Sequence, residues 1–434
     1  MTEPSYLRDT VLPQLPPPLV DRGIIKWIRE NLFSGVLNTF LTLAGLAAVW
    51  WLLAASLPWF LHGVWDANSL GECRSIIAAE FGEGAQGACW AMLRERWHQF
   101  IFGFYPPEAY WRVGLAFVLL FVALAPVLFT EVPRLLLWGT VIYPALGYWL
   151  LWGGSIWGPV VAMAGFGLLA LVFKLLRPLL GVPVAGGLGF VAAVLWWLFA
   201  QGPVAGLLAG VMPVGLVPVE SDRFGGFLLS IVIGVTSIAA SLPLGILLAL
   251  GRRSDMFLVK TLSVAFIEFI RGVPLITMLF TASLLLQYFL PPGTSFDLIL
   301  RVDILVTIFA AAYLAEVVRG GMAALPRGQY EAADALGLDY WSAERLIILP
   351  QALKISIPSI VSTFISLFKD TTLVSFVGLL DPLKGISTIV RADMAWKGVY
   401  WEPYLFVGAV FFVLCFSMSR YSMYLERKLK TDHK

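Results

Sequence analysis

Residues 225–250 read GGFLLSIVIGVTSIAASLPLGILLAL, and Arg252 and Arg253 follow after Gly251. The run carries no Asp, Glu, Lys or Arg. A bilayer core about 30 Å thick needs about 20 apolar residues at a rise of about 1.5 Å each. A charge-free run of this length, closed by two arginines, reads as a membrane-spanning helix. Working outward, comparable stretches fall near 33–61, 112–130, 134–152, 156–173, 184–200, 256–290, 303–319, 346–369 and 403–424. The composition agrees: of 434 residues, 59% are hydrophobic and only 13% charged, about half the charged share of a soluble domain. The expected fold is all-α, a polytopic transmembrane helical bundle of about ten spans.

Two stretches depart from a plain span. The one at 256–290 is too long for one straight helix, and Pro274 interrupts it after Arg271-Gly272-Val273. Proline removes a rung of the backbone ladder, so a kink or two packed pieces making one net crossing are expected. The 202–219 stretch is apolar but holds Pro203, Pro213 and Pro218, and is expected at the interface rather than across the membrane.

Charge sets the sidedness. With the N-terminus inside, seventeen basic residues fall in inner segments and nine in outer ones, the bias expected of cytoplasmic loops. Ten crossings then leave both termini cytoplasmic. The first 30 residues form a polar, proline-rich tail (Pro13, Pro16, Pro17, Pro18) without the apolar core of a secretory leader. The outer loop 62–111 is the longest hydrophilic excursion and contains Cys73 and Cys89, either bonded to each other or present as two free thiols.

A net charge of +2 excludes a basic nucleic-acid footprint. Three His and three Cys are too few and too scattered for a metal site. No Walker A, HExxH, GxSxG or CxxC pattern occurs, so no catalytic residue is assigned and the chain reads as a conduit without its own engine. Gly206 with Gly210 and Gly154 with Gly158 match the small-xxx-small pattern of helix contacts, weakly given 40 glycines.

The most polar stretch of the apolar half is 327–350, RGQYEAADALGLDYWSAERLIILP. Residues 328–336 are good helix formers, Gly337 suits a left-handed cap, and a new helix begins near Asp339. Ala332, Ala333 and Ala335 leave room for another backbone, with Glu331 and Asp334 beside them. The segment is either a docking helix for a cytoplasmic partner or a solvated connector. Inside the spans, Glu268 sits 12 residues past Met256, near mid-bilayer if the helix climbs straight, with Arg271 one turn on. Ionisable groups at that depth face a wet cavity or one another. Glu268 and Arg271 therefore either border a translocation pathway or brace the break at Pro274. Glu316 and Arg319 repeat the i, i+3 spacing nearer the inner surface.

Glu331-Ala332-Ala333, with Gly337 and then Leu349-Pro350-Gln351-Ala352, resembles the EAA loop of ABC importer permeases, and within them the polar amino acid permeases. Phe269–Leu275 is similar to that family's FRGTPL run, Ala312–Gly321 to AYxAExxRGG and Phe368–Leu373 to KDTSL, in the family's order. Val273, Thr372 and Ser362 depart from its usual Thr, Ser and Asn. Gly87–Trp90 followed by Gly103–Pro106 resembles the extended permeases of general L-amino acid transporters.

The resemblance implies a permease core at 221–425 with a coupling loop at 320–345, extra spans at 31–220, and tails at 1–30 and 426–434. It implies a bacterial inner-membrane subunit that pairs with a second similar permease, two copies of an ATPase and a periplasmic amino-acid-binding protein. ATP and Mg would sit on the ATPase, leaving this chain without a cofactor. Glu331, Ala332, Ala333 and Gly337 would be the coupling element. The rivals are an ion-gradient-driven secondary amino acid transporter, with Glu268 or Glu316 as the ion site, and an ABC permease for another small polar solute.

Overall fold

The computed structural model describes residues 23–129, 131–289 and 297–429. Most of the N-terminal tail and residues 430–434 lie outside them, including the prolines at 13–18 on which the tail reading rests. In chain order the helices are α1 (Gly23–Asn31), α2 (Val36–Leu61), α3 (Leu70–Phe81), α4 (Ala91–Phe102), α5 (Tyr110–Leu128) and α6 (Leu137–Trp152). Then come α7 (Trp157–Val182) and α8 (Val184–Val211). They are followed by α9 (Gly226–Arg253), α10 (Phe257–Gly272), α11 (Leu275–Phe289), α12 (Leu298–Ala323), α13 (Arg327–Ala335), α14 (Tyr340–Ala343), α15 (Leu349–Asp370), α16 (Pro382–Ala392) and α17 (Trp401–Leu429). Among the described residues nine helices are long and apolar enough to cross a membrane, and α10 with α11 form a further bent pair.

The described chain forms two compact units that meet in sequence at Met92 and Leu93. In the first, the loop after α2 is stitched by main-chain bonds: Val64 N–H donates to Ala88 O (2.8 Å) and Ala88 N–H to Trp59 O (2.9 Å). Cys73 and Cys89 are joined as a disulfide, their Cα atoms 6.0 Å apart.

In the second unit, α7 and α8 are a hairpin reversed at Gly181, whose φ of +77° suits glycine. The indoles of Trp196 and Trp197 donate across it to Val161 O and Ala162 O, each at 2.9 Å. The core centres on α9, α12 and α15, with α5, α6 and α11 packed into the same apolar cluster. Small residues set its spacing: a Cβ on Gly245 of α9 would lie 2.8 Å from the Leu314 Cβ of α12, and one on Gly321 of α12 would lie 2.1 Å from the Ser356 Oγ of α15. Gly154, Gly158, Gly206 and Gly210 have open space around them instead, so the small-residue pairs picked out by spacing are not helix contacts among the described residues.

Two expectations are corrected. The stretch expected at the interface is helical as far as Val211 and completes the fifth span. A π turn at Trp196–Ala200 shifts the hydrogen-bond register just ahead of Pro203, which lets the helix carry the proline. The seventh stretch is the two-piece alternative, with α10 and α11 meeting at 99° across Val273-Pro274. The second correction concerns Glu268, which does not climb about 18 Å away from the end of α9: its carboxylate is 2.8 Å from the Arg252 guanidinium, one residue short of that helix's C-terminus. Thus α10 crosses the ends of its neighbours, and α11 carries the chain onward.

Candidate functional site

The ends of α9, α12 and α15 converge on α13. Pro326 opens the helix, as proline does where a first-turn N–H is not needed. Gly337, at φ +68°, closes it. Its N–H donates to Asp334 O (2.9 Å) and Leu338 N–H to Ala333 O (3.2 Å), the paired bonds of a Schellman cap. The cap turns the chain sharply before Asp339, which begins α14.

Of the coupling residues named from sequence, Ala333 is buried at 1% exposure, while Glu331, Ala332 and Gly337 are exposed. Ala333 thus faces this chain's interior and does not belong to an outward docking face. That face is Glu331, Ala332, Ala335 and Leu336, the last 74% exposed. The inner face is tethered to three spans. Arg253 of α9 donates to the Tyr330 hydroxyl (2.7 Å) and stacks over its ring at 5.1 Å. The Tyr330 hydroxyl donates to Met322 O of α12 (3.3 Å), and Gln351 of α15 donates to Gln329 Oε1 (2.9 Å). A displacement of α13 therefore acts on all three helices at once.

Beside it lies a charge network on α9, α10 and α12. Arg252 pairs with both Glu268 (2.8 Å) and Glu316 (2.9 Å). Arg319 pairs with Glu316 at 2.9 Å, and Arg271 approaches Glu316 at 3.8 Å while covering the Tyr313 ring. Glu268 and Arg271, read from sequence as either bordering a pathway or bracing the break at Pro274, are 4.0 Å apart, and Arg252 is the closer partner of Glu268. Glu316 is the hub, with its side chain 16% exposed against 53% for Glu268. The sequence spacing found both i, i+3 pairs and missed Arg252, which only the lateral course of α10 brings to them.

A second polar contact escaped the sequence. Asp303 of α12 accepts bonds from Thr236 and Ser237 of α9, both at 2.7 Å. The expected span began at residue 303, so the carboxylate read as a boundary residue. The helix begins five residues earlier, at Leu298, and carries Asp303 inward. At the end of the bundle opposite α13, a cleft of about 340 Å³ is lined by Glu220, Asp222, Asp297 and Gly378–Leu380.

A bundle of spans whose ends gather on one short, exposed helix–turn–helix places the chain in a class: a polytopic membrane subunit. Residues 241–431 match the model of the family described as "Binding-protein-dependent transport system inner membrane component". Over 434 residues, all of both chains, the sequence is 68% identical to the Glutamate/glutamine/aspartate/asparagine transport system permease protein BztC of Rhodobacter capsulatus. It is 39% identical over 409 residues, 93% of each chain, to the Inner membrane amino-acid ABC transporter permease protein YhdY of Escherichia coli. A shorter relative, the Glutamate/aspartate import permease protein GltK of Escherichia coli, is 33% identical over 219 residues, 49% of this chain and 96% of the relative. The chain belongs to the inner membrane components of binding-protein-dependent transport systems.

Proposed function

We propose that the chain is the permease through which L-amino acids enter the cell by alternating access, driven by ATP hydrolysis on partner subunits. The substrate class is glutamate, glutamine, aspartate and asparagine, on the name of the relative that is 68% identical over the whole chain. The assembly contains two ATPase copies, a second similar permease and a soluble amino-acid-binding protein. ATP and Mg stay with the ATPase. The subunit lies in the bacterial inner membrane with both termini cytoplasmic, so α13 faces the cytoplasm.

One observation carries the coupling role. The exposed Glu331–Leu336 face of α13 has a buried reverse side bonded to α9, α12 and α15. The Gly337 cap holds that face at a fixed angle. Glu331, Ala332, Ala333 and Gly337 act together as the coupling element: Glu331 and Ala332 meet the ATPase, Ala333 seats the helix, and Gly337 ends it. Glu268 and Arg271, with Arg252, Glu316 and Arg319, border the translocation pathway at the same end, where their charges face a zwitterionic cargo.

The test is uptake of radiolabelled glutamate and glutamine by the reconstituted importer carrying Glu331→Lys. Uptake falls to background, while membrane insertion and melting match the parent. Full uptake by this variant overturns the coupling role. Uptake by the chain without an ATPase, abolished by an uncoupler, establishes the ion-driven mechanism instead.

A further inference from the structure

Helix α1 buries none of its residues in the described protein. Its nine residues, GIIKWIREN, are all exposed, with Ile24 at 77%, Ile25 at 56% and Trp27 at 57%. A nine-residue helix is too short to hold its own in water, because nucleation is costly and isolated helices below about 12 residues are marginal. It therefore needs an apolar surface to lie on. At about 100° per residue, Trp27, Ile24, Ile28 and Ile25 fall on one continuous arc, and Lys26, Arg29 and Glu30 on the other. The polar side is braced by a Lys26–Glu30 pair at 3.8 Å.

The connection to α2 fixes where this face sits. The Thr42 hydroxyl donates to Leu32 O at 2.8 Å. Thr42 is six residues into α2, about 9 Å along its axis. The chain after α1 is thus folded back beside the opening turns of a charge-free, 26-residue spanning helix, and does not extend its axis. A helix end at that level lies at the boundary between water and hydrocarbon, where a tryptophan belongs and where lysine and arginine reach headgroups.

We propose that α1 is an interfacial helix lying in the plane of the bilayer that α2 crosses, with Ile24, Ile25, Trp27 and Ile28 seated in the acyl boundary and Lys26 and Arg29 at the headgroups. The occupant of this face is lipid, since the same few residues that carry the apolar arc are continuous with the lipid-exposed start of α2. The inference does not rest on the importer reading.

The test uses the full chain in lipid nanodiscs, with Cys415→Ser to remove the free thiol and the Cys73–Cys89 disulfide left closed. Single cysteines at Ile24→Cys, Ile28→Cys, Lys26→Cys and Glu30→Cys carry an environment-sensitive fluorophore. Quenching by doxyl-labelled lipid is expected to be at least about threefold stronger at positions 24 and 28 than at 26 and 30, with iodide quenching in the opposite order. Equal iodide access at all four positions overturns the proposal. Lipid quenching at all four overturns it too, because the segment would then be immersed. Protection of 24 and 28 from both quenchers overturns it in favour of a protein surface.

Discussion

Helices α2 and α12 are equally apolar and differently used. Their most apolar windows have mean hydropathies of 2.0 and 2.1, yet none of the first window is buried within the chain and half of the second is. The residues explain the difference. On α2 the large side chains point outward, with Trp50 74% and Trp51 70% exposed. On α12 the buried positions include Ala310, Ala311, Ala312, Ala315 and Gly321. Between helices in a membrane there is no hydrophobic driving force, so close approach of backbones decides packing. Hydropathy therefore reports that a helix enters the bilayer, and small residues with a facing partner report that it belongs to the core.

The strongest attack on this contrast is Gly321→Leu. The new Cβ alone would collide with Ser356 Oγ and come within 2.5 Å of the Ala352 carbonyl. Backbone cannot move aside cheaply, so a loss of more than about 4 kcal/mol is expected, seen as failure to recover monodisperse protein after mild heating in detergent. Leu46→Ala on α2, at a residue 58% exposed, should stay within about 0.5 kcal/mol. Equal losses for the two would break the distinction.

Next in size is the charge network, which belongs to the core for a different reason. Arg252→Gln removes the bridge between Glu268 and Glu316 and leaves the less exposed Glu316 with Arg319 and Arg271. A lower melting temperature is expected, arising from the contact to the less exposed Glu316, since the pair with the half-exposed Glu268 is screened by solvent. Arg252→Lys should recover part of it, since one ammonium cannot reproduce the guanidinium fork. The outward Lys26→Gln on α1 should cost less than about 0.5 kcal/mol, because the pair it breaks is exposed. If Arg252→Gln is equally harmless, the network does not hold α9, α10 and α12 together.

Much of this architecture was legible in advance because each signal is local. Span lengths follow from uninterrupted apolar runs, the end of α13 from one glycine, and the two i, i+3 pairs from helical spacing. What escaped depends on where helices go relative to one another. The approach of Arg252 to Glu268 requires α10 to run sideways, and nothing in its apolar pattern distinguishes that from a climb. The inward face of Ala333 depends on Tyr330 being caught between α9 and α12. The continuation of α8 past Pro203 depends on a π turn that no residue pattern announces. The glycine contacts show the same limit: Gly245 and Gly321 pack, whereas Gly206 and Gly210, with the better spacing, do not.

The smallest of the three main effects extends the contrast from apolar to ionisable groups. Asp381 is fully buried at the start of α16, where its carboxylate accepts from Leu383 N–H (3.0 Å) and Lys384 N–H (3.2 Å). Burial outweighs those bonds and raises its pKa from 3.8 to about 6. A raised carboxyl pKa means that the folded chain holds the proton more tightly than the unfolded one. Below about pH 4 both states are protonated and the group is neutral for stability. Between about pH 4 and 6 only the folded state retains the proton, so stability falls as pH rises, and above pH 6 the full cost of the buried charge persists. Asp381→Asn keeps an acceptor for the cap and removes the charge. The variant should therefore be more stable than the parent at pH 7 by on the order of 1–2 kcal/mol, with the difference closing as pH falls below 6. Melting temperatures of both proteins in detergent from pH 4.5 to 7.5 measure it. A difference that stays constant across the range, or a variant less stable at pH 7, would mean that the capping bonds and not burial govern Asp381.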